Sequence, residues 1–301
     1  MFNLRLLLVA LVWGINFSVV KFALADFRPL EFTVIRFSFA ALALFFVLQL
    51  RHESLALARK DRLPIVCLGF LGITLYNIFF MYGLQYTTAA NSALLISLSP
   101  LFGALIQAFR GAERLGVRVI AGLGLASFGV YLIIRSHHDI PNFSNREIIG
   151  DILTLCAALT WALYTIAAKP LLEKYSPVKI TAYSMAAGSI MLLPLSLPDL
   201  IDQRWPAVSM LSWSAAAFAA LIAGVVAYVL WYEGVKQLGV TRTMVYHYLM
   251  PFAAVLFASL ILGERMTALQ IVGAGAVLLG VYFVQSSSNR TAIQAPQGTD
   301  G

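Results

Sequence analysis

Apolar runs of about twenty residues, separated by short charged or turn-rich breaks, fill nearly the whole chain. They lie near residues 4–24, 31–50, 63–83, 89–109, 116–135, 149–168, 178–198, 209–232, 241–262 and 267–285. A helix needs about 20 apolar residues to cross hydrocarbon, so the pattern predicts ten membrane-spanning helices. Pro29 and Pro177 each close one run and open the next, because proline disfavours helix in the residue before it and suits a first turn. The triplets at 112–114 and 263–265 are polar corners. The longest connection, 136–148, holds His137, His138, Asp139, Pro141 and Asn142 and divides the chain in two. The expected units are a first five-helix repeat at 1–137, a connecting loop at 138–148, a second five-helix repeat at 149–285 and a disordered tail at 286–301.

The second half echoes the first. Trp13, Lys21 and Pro29 return as Trp161, Lys169 and Pro177, each 148 positions on. Gly83, Pro100, Glu113, Gly122, Gly129 and Tyr131 return as Gly234, Pro251, Glu264, Gly273, Gly280 and Tyr282, each 151 positions on. Five spans per repeat is an odd number, so the two copies enter the bilayer with opposite orientation. Inverted repeats of this kind place a site near the midplane, where the halves can rock about it.

Composition strengthens the membrane reading. Of 301 residues, 60% are hydrophobic and 12% charged, with a mean hydropathy of +0.83, whereas soluble domains carry about 25% charged residues. The net charge of +7 does not point to nucleic acid, because no basic patch alternates with base-stacking aromatics. Lys and Arg instead report orientation. With the N-terminus inside, fourteen lie on the cytoplasmic side and six outside, which favours both termini in the cytoplasm of a plasma membrane, the bacterial inner membrane being the natural setting. Residues 1–25 have the look of a signal peptide, but Trp13, Asn16, Lys21 and the matching copy at 149–169 argue that this first span is retained. Cys67 and Cys156 fall inside apolar runs and read as packing residues.

Val12-Trp13-Gly14-Ile15-Asn16-Phe17, Arg36-Phe37 early in the second span and Gly263-Glu264-Arg265 before the last one resemble the EamA family of the drug/metabolite transporter superfamily. The likeness covers about residues 3–285, with Ala112 standing where the first-half copy of Gly-Glu-Arg would have glycine. The resemblance implies an all-α membrane protein of ten helices, a five-plus-five inverted repeat around a central cavity lined by the first four helices of each half, and export of small metabolites, commonly amino acids or related compounds.

Polar groups in hydrocarbon need partners or water, so they mark the pathway. Arg36, about 9 Å into its span at 1.5 Å per residue, reads as a guanidinium that grips a substrate carboxylate or as an anchor that snorkels to the interface. Glu233, near the cytoplasmic end of the eighth span, reads as a proton-coupling carboxylate or, more plainly, as a partner of Lys236. Pro100 and Pro251 remove the hydrogen bonds to the carbonyls of Ile96 and His247, which predicts hinges at matching places and two freed acceptors for an ammonium group. Helical spacing places Asn77 on one face with Thr74, Met81 and Gln85, and Tyr228 on one face with Val225, Tyr232 and Lys236. Asn16 matches Tyr164, and Arg36 matches Ser184; Asn91, Tyr246 and His247 line the starts of the fourth and ninth spans. Trp13 and Trp161 wall the cavity or anchor packing, and Tyr228, Trp231 and Tyr232 fit an interfacial aromatic belt equally well. The glycines of the fifth and tenth spans read as scaffold or as a contact surface that would serve a homodimer.

The expected activity is secondary export of a small polar metabolite, an amino acid or related compound, by alternating access, with import or proton-coupled exchange of the same substrate class as alternatives. The partners expected are a small-molecule substrate and the lipid bilayer, with no nucleic acid. No nucleotide-binding Gly-x-x-x-x-Gly-Lys-Ser/Thr run occurs, and neither cofactor nor metal is expected. An intramembrane enzyme would need a catalytic constellation at depth, yet only His247 of the four histidines lies in a span. A channel would need charge rings or a carbonyl filter, and neither is evident.

Overall fold

A computed structural model describes residues 3–109, 117–135 and 145–293. Their helices are α1 (Leu4–Ala23), α2 (Pro29–Leu50), α3 (Arg59–Tyr86), α4 (Ala89–Ile106), α5 (Val117–Arg135), α6 (Asn145–Leu172), α7 (Pro177–Asp202), α8 (Met210–Leu238), α9 (Arg242–Leu262) and α10 (Ala268–Ile293). Eight of them, all but α5 and α10, are long and apolar enough to cross a membrane, and those two carry shorter apolar stretches at Ile120–Gly129 and Ala268–Gly280. The corner at 112–114 and most of the 138–148 connection lie outside the described residues, although α6 already begins at Asn145. The last helix runs to Ile293, so the polar stretch from Ser286 continues the backbone ladder instead of leaving it.

The packing follows the repeat. Both second helices pack on each other, α2 on α7, and so do both fifth helices, α5 on α10. Helix α1 packs on α8 and α9, and its counterpart α6 packs on α3 and α4. Exchanging the halves therefore maps each contact onto another. At the α5–α10 crossing, a Cβ on Gly129 would stand 2.6 Å from the Gly273 carbonyl oxygen, and one on Gly280 would stand 2.5 Å from that of Gly122. Those are repeat-equivalent contacts between backbones, and only glycine permits them. Gly280→Leu should force the helices apart and cost about 1–3 kcal/mol, read as a lowered melting temperature in detergent. Gly124→Ala, where no heavy atom stands within 4 Å, should melt like the parent.

Polar clusters close both ends of the bundle. At the Ala23 end, Lys21 bonds the Thr87 carbonyl and lies 3.7 Å from Glu264, whose carboxylate accepts from the N–H groups of Ala89 and Ala90 at 3.0 and 3.2 Å. That carboxylate caps the start of α4, where the helix dipole favours negative charge. Thr87 donates to buried Asp151 at 2.7 Å, and Gln270 donates to buried Asn91 at 2.8 Å. Lys21 near the end of α1 and Asp151 near the start of α6 thus both bond Thr87. At the Leu4 end buried Asp61 accepts from Lys174 and Tyr175 at 2.8 and 2.9 Å, and buried Lys179 donates to the Ala56 carbonyl at 2.8 Å. Arg5 pairs with Glu233 at 2.9 Å in an exposed bridge, and the Asn3 N–H donates to the Tyr246 hydroxyl at 2.8 Å.

The α1–α2 corner is tied to the start of α8 by Asp26, which accepts from the hydroxyls of Ser209 and Ser212, both at 2.7 Å. These bonds, that of Ser209 first, hold the Asp26 carboxyl below its ordinary value. A carboxylate with a depressed folded value stabilises above its unfolded value, about pH 3.9, and the contribution vanishes as pH falls through the folded one. Acid should therefore loosen this corner. Asp26→Asn should remove that part of the acid dependence, read as proteolytic nicking near residue 26 below about pH 4.

Candidate functional site

The cavity at the centre of the bundle begins with two irregular helices. Residues Phe70–Leu75 of α3 and Phe218–Val226 of α8 are π-helical, and the second segment contains the repeat equivalents of the first, 151 positions on. In each, an N–H reaches back five residues, Tyr76 to Leu71 and Ala227 to Ile222. A π turn inserts one residue and leaves carbonyls for other donors. Both halves use them. The Asn77 amide donates to the Ile73 carbonyl at 2.8 Å, and the Trp13 indole donates to the Ala223 carbonyl at 3.0 Å. Gly72 gives the α3 turn its shape, because a Cβ there would sit inside the Tyr164 ring.

Anchored in this way, Asn77 turns its Oδ1 to Arg36, whose Nη2 donates to it at 2.5 Å. Arg36 is 4% exposed and lies over the Phe37 ring, 4.5 Å from its centroid. Among the described residues no carboxylate pairs with it, and its Nε has no partner. Burying a cation without an anion is costly, so the arrangement favours a ligand that brings the negative charge. Opposite stands an aromatic wall. Trp13 meets Trp161 edge-on at 5.2 Å and Tyr228 at 5.4 Å, and Tyr76 approaches Trp161 at 5.1 Å. The His247 ring lies 4.5 Å from Trp231 and 5.6 Å from Trp161, and shares a 2.7 Å hydrogen bond with Ser99 through Nδ1.

Asn16, Phe17, Phe80, Ile96, Ala219, Gly224 and Met250 complete a cavity of about 40 Å³. One water needs roughly 10–15 Å³ by this measure, so the cavity holds about three waters and no metabolite. Asn16 Oδ1, Trp161 Nε1 and His247 Nε2, like Arg36 Nε, are buried on its wall without partners. The wall thus offers donors for an anion and an acceptor for an ammonium or hydroxyl group, with one positive charge and no negative one.

Six residues expected at a site line this cavity: Trp13, Asn16, Arg36, Trp161, Tyr228 and His247. Asn77 supports it through Arg36, and Tyr164 lies behind it against Gly72 and Tyr232. Ser184 faces its own helix, donating to the Thr181 carbonyl, while Asn91 and Tyr246 belong to the two end clusters. Glu233 pairs with Arg5 rather than Lys236, because α8 packs on α1; Lys236 instead bonds the Tyr175 carbonyl at 3.4 Å. Tyr228, Trp231 and Tyr232 are buried, so they form no interfacial belt. Cys67 is exposed rather than packed. The hinge positions are real breaks. Helix α4 interrupts at Ser97–Leu98 just before Pro100, and a 3₁₀ segment, Val245–Leu249, leads into Pro251. The His247 carbonyl is not left free, however, because the tighter 3₁₀ turn brings the Met250 N–H onto it.

Tyr76 and Phe80 were not among the expected residues. The spacing Thr74, Asn77, Met81 assumes an unbroken α-helix, and the π turn rotates the face, so Thr74 instead bonds the Gly188 carbonyl of α7 at 3.0 Å. The repeat itself held a clue, since Phe80 corresponds to Trp231.

The model of the EamA-like transporter family matches residues 2–135 and again 148–286, once for each half. This chain belongs to the EamA-like transporter family. An uncharacterized transporter of Archaeoglobus fulgidus is 29% identical over 96% of this chain and 98% of its own length. A probable amino-acid metabolite efflux pump of Escherichia coli is 27% identical over 92% of each chain. A probable terminal-alkyne amino-acid exporter of Streptantibioticus cattleyicolor is 26% identical over 93% and 91%. A crystal structure superposes on 96% of this chain and 98% of its own with TM-score 0.69 at 17% identity, a likeness of fold. Membership in the EamA-like family, with these relatives, marks a multi-pass membrane transporter of small molecules rather than an enzyme.

Proposed function

We propose that the chain exports a small carboxylate-bearing metabolite, an amino acid or a close relative, by alternating access of the Arg36 cavity. The observation that carries this reading is the buried guanidinium on the wall of the central cavity, its Nε unpartnered and no carboxylate among the described residues neutralising it. The relatives described as amino-acid efflux systems support the substrate class and the direction. Ten spans arranged as an inverted five-plus-five repeat are supported by the half-exchanging contacts and by the bonds that bring Lys21 of α1 and Asp151 of α6 to Thr87 at one end. With both termini in the cytoplasm of the inner membrane, the Leu4 end faces inward.

Proteoliposomes loaded with a panel of radiolabelled amino acids and short monocarboxylates test the reading. Saturable efflux and counterflow of a carboxylate-bearing compound are expected, and efflux of none of them contradicts it. Rearrangement about the broken helices should make Pro251→Ala slow turnover more than it weakens binding; a loss confined to affinity contradicts a hinge at that position.

A further inference from the structure

Arg36 borders a second space. A groove of about 520 Å³ runs between α2 and α8 on the outer surface of the bundle, and its lining is apolar except for this guanidinium. One wall is a stripe along α2, Ile35, Phe39, Leu42 and Phe46, at helical spacing of three and four. The facing stretch of α8 offers the small side chains of Ala216, Ala217 and Ala220 between Trp213 and Leu221, which leaves the space between open. From Arg36 to Phe46 the groove is about 15 Å long at 1.5 Å per residue. Phe39, Leu42 and Phe46 are more than half exposed, so the groove faces the bilayer.

An apolar trough one helix stripe wide holds one acyl chain. A buried cation at its end, with a donor nitrogen unpartnered, takes an anionic head. We infer that this groove is a lateral binding site for a single-chain carboxylate amphiphile, its chain lying along α2 and its carboxylate on Arg36. Arg36 lies in the wall shared with the central cavity. The inference rests on Arg36 as the carboxylate-binding group of the proposed carrier and adds a site outside the central cavity.

Equilibrium binding of radiolabelled laurate to the purified chain in phosphatidylcholine nanodiscs, against empty discs, tests it. Saturable binding is expected, resisting equal concentrations of dodecanol, which lacks the charge, and acetate, which lacks the chain. Ala217→Phe should fill the trough from its exposed side, and Arg36→Gln should remove the head contact. Each should weaken laurate binding at least tenfold while the variant still melts cooperatively. Unchanged binding in Ala217→Phe overturns the groove, and unchanged binding in Arg36→Gln overturns the head assignment. Loss of laurate when phosphatidylglycerol enters the discs assigns the groove to a two-chain lipid and also overturns the inference. If Arg36→Gln abolishes amino-acid efflux yet still binds laurate, the carrier reading stands and only the lateral site falls. If it loses laurate but keeps efflux, the carrier reading falls instead.

Discussion

Arg36→Ala should abolish efflux of carboxylate substrates, while the protein still inserts and folds. Removing one member of a buried, hydrogen-bonded charge pair costs about 2–5 kcal/mol, which is roughly 30-fold to several-thousand-fold in affinity. Here the loss falls on the substrate, because the structure provides Arg36 with no carboxylate of its own among the described residues. The fold should tolerate the change, since the variant no longer buries an uncompensated cation, although it loses the Asn77 hydrogen bond and the contacts with the Phe32 and Phe37 rings. Amides of the same substrates should be transported no worse by the variant than by the parent. Efflux that survives in Arg36→Ala identifies this residue as an anchor rather than a binding group.

The second large effect is expected from Asn77→Asp. The new carboxylate would stand where the amide Oδ1 now accepts from Arg36 at 2.5 Å, converting a bond between a cation and a neutral amide into an internal ion pair. That pair competes with any incoming carboxylate, so affinity should fall at least about tenfold, the lower range of a charge-assisted contact. The buried cation gains its counter-charge while the donation to the Ile73 carbonyl is lost, so the melting temperature should stay near that of the parent. Asn77→Ala separates this from simple damage. It removes the support without neutralising the guanidinium, so some carboxylate binding should remain. If both variants lose binding equally and melt lower, Asn77 serves the fold alone.

Much of the fold was legible because the bilayer imposes a simple rule, roughly twenty apolar residues per crossing. Repeated Trp, Pro and Gly positions then related the halves, and the contact of Gly129 with Gly273 and of Gly280 with Gly122 follows that relation residue by residue. The site was legible where a polar or aromatic side chain belongs to a regular helix, as Trp13, Asn16 and Arg36 do. It was illegible where the helix is irregular. No propensity marks a π turn, so the face that carries Tyr76 and Phe80 was assigned to Thr74 and Met81. The same limit hid the use of the Ile73 and Ala223 carbonyls by Asn77 and Trp13. Spacing also cannot tell a cavity wall from an end cluster, which is why Asn91 and Tyr246 stood among the substrate contacts. Long-range pairing decides such cases, as with Glu233, whose partner Arg5 is 228 residues away.

The most direct measurement is thiol accessibility at Ala223, a small residue on the cavity wall, replaced by cysteine in a chain whose Cys67 and Cys156 have been changed to serine. Membrane-impermeant maleimide is applied to right-side-out and to inside-out vesicles, with and without a transported carboxylate. Labelling from both faces, slowed by that substrate, is the expected result for a pocket that opens alternately. Labelling from one face alone, or from neither, contradicts it.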